Sequence, residues 1–399
     1  MEDDLMKTNN LQRLRADRVW LTEDACDLDE FRILVERTTT LADYPTADKV
    51  EKDVLIYDSR KVVSAIATAG RRAVLAEICE AFADGPGVLV FKRAYQDIDV
   101  IDRASAIFDS IIDEQHRTAT GGGDHFAKPG ANDRIWNSLE KHCLTDPRNF
   151  AEYYGNAMIA LASEAWLGPS YQMTAQVNRV NPGGAAQSAH RDYHLGFQSL
   201  EVIERFPAHV HKLSPVLTLQ GAVAHCDMPL ESGPTLFLPH SQTYVPGYLA
   251  LKRQEFRDYF EQHHIQLPLE KGDVVFFNPA LFHAAGTNRS AGIKRVANLL
   301  QVSSAFGRAM ETVNRERMSA TLFPALKSLK AKLSDAAIAN AIACCAEGYS
   351  FPTNLDRDPP VGGLAPKTQA QLMYEALREG WSDEAFKEAL AKQAEKKLS

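Results

Sequence analysis

The hydrophobic pattern of the chain changes twice, from helical spacing to short strand-like runs and back to helical spacing. Over residues 75–82, 100–112 and 150–167, apolar residues recur every three or four positions, as on one face of a helix. From residue 171 to 304, short runs rich in β-branched and aromatic residues are separated by Gly, Pro, Ser and Asn. The strands predicted there are 173–180, 216–225, 235–238, 265–269, 273–278 and 294–303. Short strands with frequent turns favour a barrel or a jelly roll.

Both ends of the chain are predicted to be helical and to flank this β-rich centre. Residues 1–74 mix charged and apolar positions with few glycines, which is typical of helices that pack outside a core. Residues 305–399 return to helical spacing, interrupted by a proline-containing loop at 349–367. We therefore predict three parts: an N-terminal helical extension (1–74), a mainly β domain with supporting helices (75–304), and a C-terminal helical extension (305–399).

Composition narrows the classes of partner. The 399 residues carry a formal net charge of −8 and a pI near 5.9, whereas a general nucleic-acid binder would show a basic excess. No apolar stretch approaches the ~18 residues that span a bilayer, and the acidic residues 1–4 do not resemble a secretory signal. The six cysteines show neither zinc-like nor disulfide spacing. We expect a cytoplasmic protein that binds a small molecule, not nucleic acid or membrane. Its helical extensions shape the pocket or form a homo-oligomer interface.

The candidate chemistry begins with the triplet His190-Arg191-Asp192. On an extended segment, residues two apart point to the same side, so His190 and Asp192 can hold one metal while Arg191 points away. A third donor is His283, which follows the apolar run 274–277 and a proline, near the expected end of a strand. Two imidazoles and one carboxylate are the donor set of a facial iron(II) site.

Three protein ligands leave about three positions of an octahedral iron open, enough for a bidentate keto acid and dioxygen. Arg295 follows His283 by twelve residues. A guanidinium in that place can hold the acid end of a keto-acid cosubstrate through two parallel hydrogen bonds. The spacing therefore indicates an oxygenase.

Two other histidine motifs compete with this assignment. His225-Cys226-Asp227 repeats the His-x-Asp pattern, but it leads into 228–235, which is typical of a turn between core strands. The first triplet instead follows a strand that breaks into a glycine-rich turn, where ligands are often displayed. His209 and His211 form His-x-His, yet no carboxylate follows in register and the preceding Phe-Pro suggests a loop. We therefore favour His190 and Asp192.

At this point the chain resembles the phytanoyl-CoA dioxygenase family of iron(II)/2-oxoglutarate oxygenases, over residues 75 to about 305. The similar segments occur in the family's order. They are the opening strand 85–92 with the helix 99–115, the metal motif 190–194, the Gly-Pro turn and strand 231–241, and the closing strand pair 272–288 with Arg295. The resemblance implies a double-stranded β-helix, a cupin-like jelly roll, with Fe(II), 2-oxoglutarate and O2 as cofactor and cosubstrates.

By resemblance, His190, Asp192 and His283 would be the iron ligands and the catalytic centre, and Arg295 would bind the distal carboxylate of 2-oxoglutarate. Gln176 and Asn178 alternate inward on the strand before the metal motif. They can hydrogen-bond the cosubstrate or serve a structural role.

The chain departs from the family pattern at two positions. Some members carry a hydroxyl two residues after the distal histidine, where this chain has Ala285, and some carry a tryptophan where this chain has Gln220. Halogenating relatives replace the carboxylate ligand with a small residue. Since Asp192 is present, the resemblance favours hydroxylation over halogenation.

Three further residues are candidates for contacting substrate. His194 lies two positions beyond Asp192 and can face the pocket or be an ordinary sheet histidine. Lys128, in a glycine-rich loop, and Arg134 can meet an anionic group, or the loop can be plain surface. The sequence contains no coenzyme A signature, so the family resemblance does not choose the substrate.

Three classes of function remain open from the sequence. The leading hypothesis is an Fe(II)/2-oxoglutarate-dependent dioxygenase that hydroxylates an unactivated carbon of a small molecule and releases succinate and CO2. A cupin-like metal-dependent hydrolase or isomerase would work without oxygen and tolerate loss of Arg295. A non-catalytic binding protein that retains the fold would be free to lose the intact triad and arginine, which this chain keeps.

Overall fold

The computed structural model describes residues 12–118 and 130–399. The helices are α1 (residues 12–19), α2 (Leu28–Val35), α3 (Ser59–Ala69), α4 (Arg71–Ala83), α5 (Asp99–Thr118), α6 (Ser138–Thr145), α7 (Pro147–Tyr154), α8 (Ala157–Leu167), α9 (Leu200–Ile203), α10 (Ala208–Val216), α11 (Gly247–Ala250), α12 (Gln254–His263), α13 (Arg315–Leu329), α14 (Asp335–Cys345), α15 (Gln369–Glu379) and α16 (Asp383–Lys396). The strands are β1 (Lys49–Glu51), β2 (Val54–Asp58), β3 (Val88–Lys92), β4 (Asn132–Ile135), β5 (Gln172–Val180), β6 (Thr218–Ala224), β7 (Leu236–Leu238), β8 (Val274–Phe277), β9 (Phe282–Ala284) and β10 (Arg295–Ser303).

Eight of these strands form one large sheet in the order β1-β2-β3-β8-β6-β10-β5-β4. All neighbours are antiparallel except β2 and β3, which run parallel. The long strand β10 lies between β5 and β6, and its register sets Arg295 opposite Val180 and Gln301 opposite both Thr174 and Gln220. The strands that precede and follow the metal motif are therefore joined through β10.

A smaller sheet covers one face of the large sheet. It consists of β7 paired with β9, and single bridges extend it from His190 to His283 on one side and from Phe237 to Ile265 on the other. Two facing sheets of this kind form the jelly roll predicted from the sequence. The β core with helical flanks is confirmed.

The layer between the two sheets is filled by one face of each strand. Side chains of alternate residues point to opposite faces. Facing inward are the buried apolar residues Val54, Ile56, Val88, Val90, Ala222, Ala224, Phe237, Val275, Phe277 and Leu281. The intervening residues of the same strands, such as Leu89, Phe91, Val274 and Phe276, point to the opposite face and join a second core.

That second core lies between the large sheet and the helices. It includes residues from α4, α5, α7, α8, α13, α14 and α16, so both the supporting helices and the C-terminal helices cover the sheet's outer face. In the C-terminal part, Phe323 of α13 stacks on Phe386 of α16 with ring centroids 4.2 Å apart. The small sheet has its own outer cover, where Phe31 of α2 packs on Phe282 and Phe256.

The structure differs from the sequence prediction in its N-terminal part, where we expected only helices. Strands β1 and β2 lie within residues 1–74, and β2 joins the large sheet beside β3. The run Val54–Asp58 is buried on both faces. A strand buried on both faces shows no alternation, so its pattern cannot be distinguished from that of a short buried helix. The division of the chain into three parts stays a prediction.

Other differences concern element boundaries. The helix predicted at 150–167 is two helices, because the chain breaks at Gly155 and Asn156, whose side chain accepts the first backbone N–H groups of α8. The strand predicted at 265–269 is reduced to single bridges. The predicted loop around His209 and His211 is wrong, since both lie in α10. No helix in the described ranges is long and apolar enough to cross a membrane.

Candidate metal centre and cosubstrate site

The structure brings His190, Asp192 and His283 together at the edge of the small sheet. Their ligand atoms all lie within 4.8 Å of one another. His190 Nε2 is 3.6 Å from one carboxylate oxygen of Asp192, and His283 Nε2 is 3.5 Å from the other. Backbone bonds in both directions between residues 190 and 283, of 3.0 and 3.2 Å, fix the two ligand-bearing segments side by side. The expected strand at His190 is only a single bridge, yet it suffices to place both rings.

Both imidazoles are oriented by a hydrogen bond from the nitrogen that faces away from the carboxylate. His190 Nδ1 donates to the carbonyl oxygen of Ser188, and His283 Nδ1 donates to that of Leu281, each at 2.8 Å. This pairing leaves each Nε2 as the acceptor nitrogen, which is the form that binds a metal. Burial, with His283 nearby, lowers the pKa of His190, so its neutral ligating form persists to lower pH.

Asp192 is held as a carboxylate. Burial works to raise the pKa of Asp192, but the neighbouring His283 and His190 rings and the side-chain amide of Gln220 lower it below its usual range. Gln220 donates from Nε2 to Asp192 Oδ2. Two neutral imidazoles beside a fixed carboxylate fit a divalent iron, and they leave the remaining coordination sites to other ligands.

Arg191 points away from this centre, as the two-residue spacing predicts. Its guanidinium is buried under the small sheet, where it donates to the carbonyl oxygens of Ser241 and Tyr244 at 2.6 and 2.9 Å. A Cβ at Gly247 would overlap this guanidinium, so glycine is required there for close packing. Arg191 therefore anchors the ligand-bearing segment from behind.

Tyr193 leaves the metal motif in a strained conformation. Its φ is +63°, in a region that large L-residues rarely adopt. The turn aims its hydroxyl back at the large sheet, where it donates to Gln301 Oε1. Such strain costs of order 1–3 kcal/mol and persists only where the surrounding structure fixes it, which is common beside active sites.

Arg295 begins β10, on the face that looks into the layer between the sheets. The residue is 7% exposed, and burial lowers the pKa of its guanidinium to about 10. Its Nη1 donates to the carbonyl oxygens of Ser232 and Gly286 at 3.1 and 3.3 Å. Within residues 12–118 and 130–399, no carboxylate pairs with it. A buried cation of this kind is costly unless an anion meets it, which a cosubstrate carboxylate would do.

The predicted Gly-Pro turn supports this arginine. Gly233 has a φ of +70°, and a Cβ there would overlap the carbonyl group of Thr287. The turn therefore packs directly on the segment that follows His283, and both segments offer a carbonyl oxygen to Arg295. The motif that marks the sequence resemblance thus helps to fix the position of Arg295.

Two further predicted cosubstrate contacts, Gln176 and Asn178, project into the same layer from β5. Asn178 lies opposite Ala297, two residues from Arg295, and its Oδ1 is buried with no hydrogen-bond partner in the described chain. Gln176 lies one repeat further along, opposite Leu299, and its Oε1 accepts from Arg134 at 2.8 Å. Asn178 is therefore the nearer of the two to the arginine, and its cosubstrate role stays a prediction.

The predicted substrate residues have different positions. Arg134 is buried on β4, where its guanidinium contacts Gln176 and lies 5.0 Å from the ring centre of Trp136. His194 is not in a sheet, since it begins a short 3₁₀ helix and hydrogen-bonds Ser214 Oγ at 3.0 Å through Nδ1. Lys128 lies outside the described residues. Roles of His194, Lys128 and Arg134 in substrate binding stay predictions.

The rival motif lies on the other side of the large sheet. His225 is buried among aromatic rings, with its two nitrogens bonded to Ser105 Oγ and Tyr153 Oη, each at 2.8 Å. Neither nitrogen is left to bind a metal. In the described parts of the chain, His190, Asp192 and His283 form the only group of three such donors close enough to hold an ion.

Some residues beside the centre were missed from the sequence. Gln301 shares the inward face with Arg295 by the period of two along β10, but only the register shows that it meets Gln220. Glu311 lies in an irregular segment after β10, where no pattern signals its approach to Gln176.

A jelly roll that carries two histidines and one carboxylate at its open edge, with a buried arginine in the same layer, is the arrangement typical of mononuclear iron(II) oxygenases. Residues 67–296 match the family described as phytanoyl-CoA dioxygenase (PhyH). The chain therefore belongs to the phytanoyl-CoA dioxygenase family, and iron and 2-oxoglutarate agree with its donor set.

Solved structures show more distant similarity. The non-heme alpha ketoglutarate dependent epimerase SnoN from nogalamycin biosynthesis is 18% identical, with a TM-score of 0.40 over 59% of this chain and 84% of that chain. AviO1 from Streptomyces viridochromogenes Tue57 is 16% identical, with a TM-score of 0.42 over 59% of this chain and 97% of that chain. EvdMO1 is 16% identical, with a TM-score of 0.41 over 58% and 50% of the respective chains. No curated protein matches the sequence.

Proposed function

We propose that this protein is an iron(II)- and 2-oxoglutarate-dependent dioxygenase that hydroxylates an unactivated carbon of a small molecule. The observation that carries the proposal is the pairing of the His190, Asp192 and His283 donors with a buried arginine that has no anionic partner in the described chain. A hydrolase or isomerase would use the three donors, but nothing in its chemistry would require Arg295.

Iron(II) and 2-oxoglutarate, when bound, supply the oxidising power that inserts one oxygen atom of O2 into a C–H bond while 2-oxoglutarate becomes succinate and CO2. The protein's part is to position and to protect. His190 and His283 present fixed Nε2 atoms, and Asp192 presents a carboxylate held ionised by its neighbours. Arg295 would bind the distal carboxylate through its planar guanidinium, which a lysine does not reproduce.

The geometry leaves an entrance on one side of the centre. The side chains of His190 and Asp192 remain 33% and 21% exposed, whereas His283 is 5% exposed. Substrate would therefore approach past His190, and the apolar layer around Phe277 and His283, whose rings lie 4.8 Å apart, would exclude water from the other side.

The test is the stoichiometry of the reaction in purified protein. With iron(II), 2-oxoglutarate and air, we expect succinate and CO2 in equal amounts with O2 consumed, and the substrate, once found, should gain one oxygen atom. Succinate formation should be lost in His190→Ala and His283→Ala. Turnover of a substrate under nitrogen, or turnover that survives removal of 2-oxoglutarate, would reject the proposal in favour of metal-dependent hydrolysis or isomerisation.

A further inference from the structure

The thiol of Cys226 lies beside the arginine that is expected to bind 2-oxoglutarate. Cys226 follows strand β6 by two residues and continues the inward alternation of Ala222 and Ala224, so its side chain packs on the core between the two sheets. Arg295 begins the neighbouring strand β10 and looks into the same layer. The thiol and the guanidinium are close enough to interact electrostatically. The middle residue of the rival His-x-Asp motif therefore lies on the face of the sheet that carries Arg295.

Two hydrogen bonds of this thiol bracket Arg295 along the chain. Cys226 Sγ donates to the carbonyl oxygen of Lys294 at 3.7 Å and accepts from the backbone N–H of Val296 at 3.4 Å. Regular pairing of β6 with β10 ends just before this point. There the N–H of His225 still donates to the carbonyl oxygen of Val296 at 3.0 Å, whereas the N–H of Val296 donates to the sulfur. The thiol thus takes the place of a backbone acceptor at the end of the ladder.

The thiol keeps the proton that it needs for both contacts. Burial raises the pKa of Cys226 above its usual value, against the opposing effects of the Val296 N–H and the charge of Arg295. A neutral thiol has one donor and an acceptor sulfur, so it can donate to one backbone group while it accepts from another. The residues before and after Arg295 are therefore held by a single side chain.

The guanidinium of Arg295 has one edge free for a ligand. Its Nη1 donates to the carbonyl oxygens of Ser232 and Gly286, whereas Nε and Nη2 have no hydrogen-bond partner in the described parts of the chain. The residue is nevertheless only 7% exposed. Nε and Nη2 form an edge that a carboxylate can meet through two parallel hydrogen bonds, and such pairing depends on direction. A shift of the backbone at Arg295 would therefore weaken it.

We infer that Cys226 is a positioning residue for the cosubstrate: its thiol fixes the backbone on both sides of Arg295 and so directs the free guanidinium edge at the distal carboxylate of 2-oxoglutarate. This inference rests on the oxygenase function proposed above. Cys226 acts through the arginine, so its loss should lower the affinity for the end of the cosubstrate that Arg295 binds. Binding of the keto-acid end by the iron should not change.

The experiment compares two keto acids that differ only at the end that Arg295 binds. 2-Oxoglutarate carries a distal carboxylate, and 2-oxopentanoate carries a methyl group in its place. Each is titrated under nitrogen into the iron(II) complex of the full-length protein, and the visible absorption of the iron chelate gives its affinity. We expect the wild type to prefer 2-oxoglutarate by about tenfold or more. In Cys226→Ala the affinity for 2-oxoglutarate should fall about fivefold, and that for 2-oxopentanoate should stay unchanged.

Further variants assign this loss of selectivity to the thiol and to Arg295. Cys226→Ser keeps a donor and an acceptor on one atom and should regain most of the selectivity. Cys79→Ala is the matched control, since Cys79 is the other partly buried cysteine and lies in α4. It should select like the wild type. Cys226→Ala should add no further loss to Arg295→Lys, because the arginine through which the thiol acts is already gone.

The outcomes separate this inference from the function on which it rests. If the wild type forms no chelate with iron(II) and 2-oxoglutarate, or binds both keto acids equally, the proposed function itself fails. If the wild type selects 2-oxoglutarate and Cys226→Ala selects it equally well, the inference is overturned. The same holds if Cys226→Ala weakens both keto acids alike, if Cys226→Ser is as impaired as Cys226→Ala, or if Cys226→Ala adds its loss to that of Arg295→Lys.

Discussion

Each donor side chain of the candidate metal centre is oriented by one identifiable neighbour. The carbonyl oxygens of Ser188 and Leu281 hold the two imidazoles, and Gln220 holds the carboxylate. The carbonyls belong to residues two positions before each histidine, so the backbone provides them wherever the local turn forms. Gln220 is different, because a side chain from another strand supplies the contact and a single substitution removes it.

We predict that Gln220→Leu weakens iron(II) binding by about tenfold, since residues that orient metal ligands typically contribute that much. Anaerobic titration of the metal-free protein with iron(II) measures it. Gln254→Leu is the matched control, because Gln254 also donates to a carboxylate, Asp258 at 2.7 Å, but on the exposed helix α12. Equal iron affinity in the two variants would show that Gln220 does not position Asp192.

Arg295 is the residue that most separates an oxygenase from the alternatives. We predict that Arg295→Lys weakens 2-oxoglutarate binding by about tenfold or more, because lysine loses the two parallel hydrogen bonds and the charge sits elsewhere. Calorimetric titration of the anaerobic iron complex with 2-oxoglutarate measures the change. Arg289→Lys, on the exposed loop before β10, should bind the cosubstrate like the wild type. Unchanged affinity in Arg295→Lys would place the cosubstrate elsewhere.

At the scale of elements, the sequence predicts which strands carry the site residues more reliably than it predicts how these strands pair. The alternation along β5 and β10 predicts which residues face inward, because the period of two is local. It cannot predict that Gln301 meets Gln220, since register depends on contacts between segments about eighty residues apart. For the same reason the sequence predicts Asp192 as a ligand but not the side chain that orients it.

Strands that are buried on both faces have the weakest pattern in the sequence. The mix of charged and apolar residues over 1–74 predicts helices only, and strand β2 was missed because Val54–Asp58 is buried on both faces and shows no alternation. Glu311, whose side chain approaches Gln176, lies outside any regular element, so neither period applies to it. By contrast, the His-x-Asp spacing and the Gly-Pro turn are local motifs, and the structure brings both to the site.

The turn at Gly233 links two elements of the site and can be tested by itself. We predict that Gly233→Ala lowers the free energy of unfolding by a few kcal/mol and weakens 2-oxoglutarate binding, because the new methyl group displaces the segment that holds Arg295. Urea unfolding and cosubstrate titration measure the two effects. Gly380→Ala also has a φ of +70° but open space around it. It should cost about 1 kcal/mol and leave cosubstrate binding intact.

An equal loss of 2-oxoglutarate affinity in Gly233→Ala and Gly380→Ala would contradict this role of the turn. The effect would then follow general destabilisation. If Gly233→Ala lowers the free energy of unfolding but leaves 2-oxoglutarate binding unchanged, the turn supports the fold but not the position of Arg295.

At the scale of the whole molecule, the second core, between the large sheet and the helices, contains two histidines that folding keeps neutral. Burial lowers the pKa of His142 to about 4 and that of His225, beside His142, to about 3. His142 Nε2 donates to Asn149 Oδ1 at 2.7 Å, and His225 is bonded at both nitrogens. These rings join the helices to the outer face of the large sheet and do not take part in the metal site.

The sign of the pH dependence follows from these shifts. In the unfolded chain a histidine takes up a proton near pH 6.5, whereas in the folded protein His142 and His225 resist protonation to about pH 4 and 3. Below pH 6.5 the unfolded state therefore binds more protons than the folded state. The free energy of unfolding decreases as the pH is lowered. At pH 5 each histidine should cost about 2 kcal/mol relative to pH 7.5.

We predict that His142→Gln reduces the loss of unfolding free energy between pH 7.5 and pH 5, measured by urea unfolding of the metal-free protein. His263→Gln is the matched control, since His263 is exposed and stacks on Tyr259 at the end of α12. It should leave the pH dependence unchanged. A wild-type protein equally stable at both pH values would contradict the burial of neutral histidines.

The central claim is that His190, Asp192 and His283 hold the iron that uses 2-oxoglutarate. Its most direct test is anaerobic iron(II) titration, with 2-oxoglutarate present, of Asp192→Ala beside Asp227→Ala. Asp227 belongs to the rival motif and is exposed. We predict that the wild type and Asp227→Ala bind one equivalent of iron with equal affinity, and that Asp192→Ala binds at least tenfold more weakly. Full iron affinity in Asp192→Ala, or its loss in Asp227→Ala, would contradict the assignment.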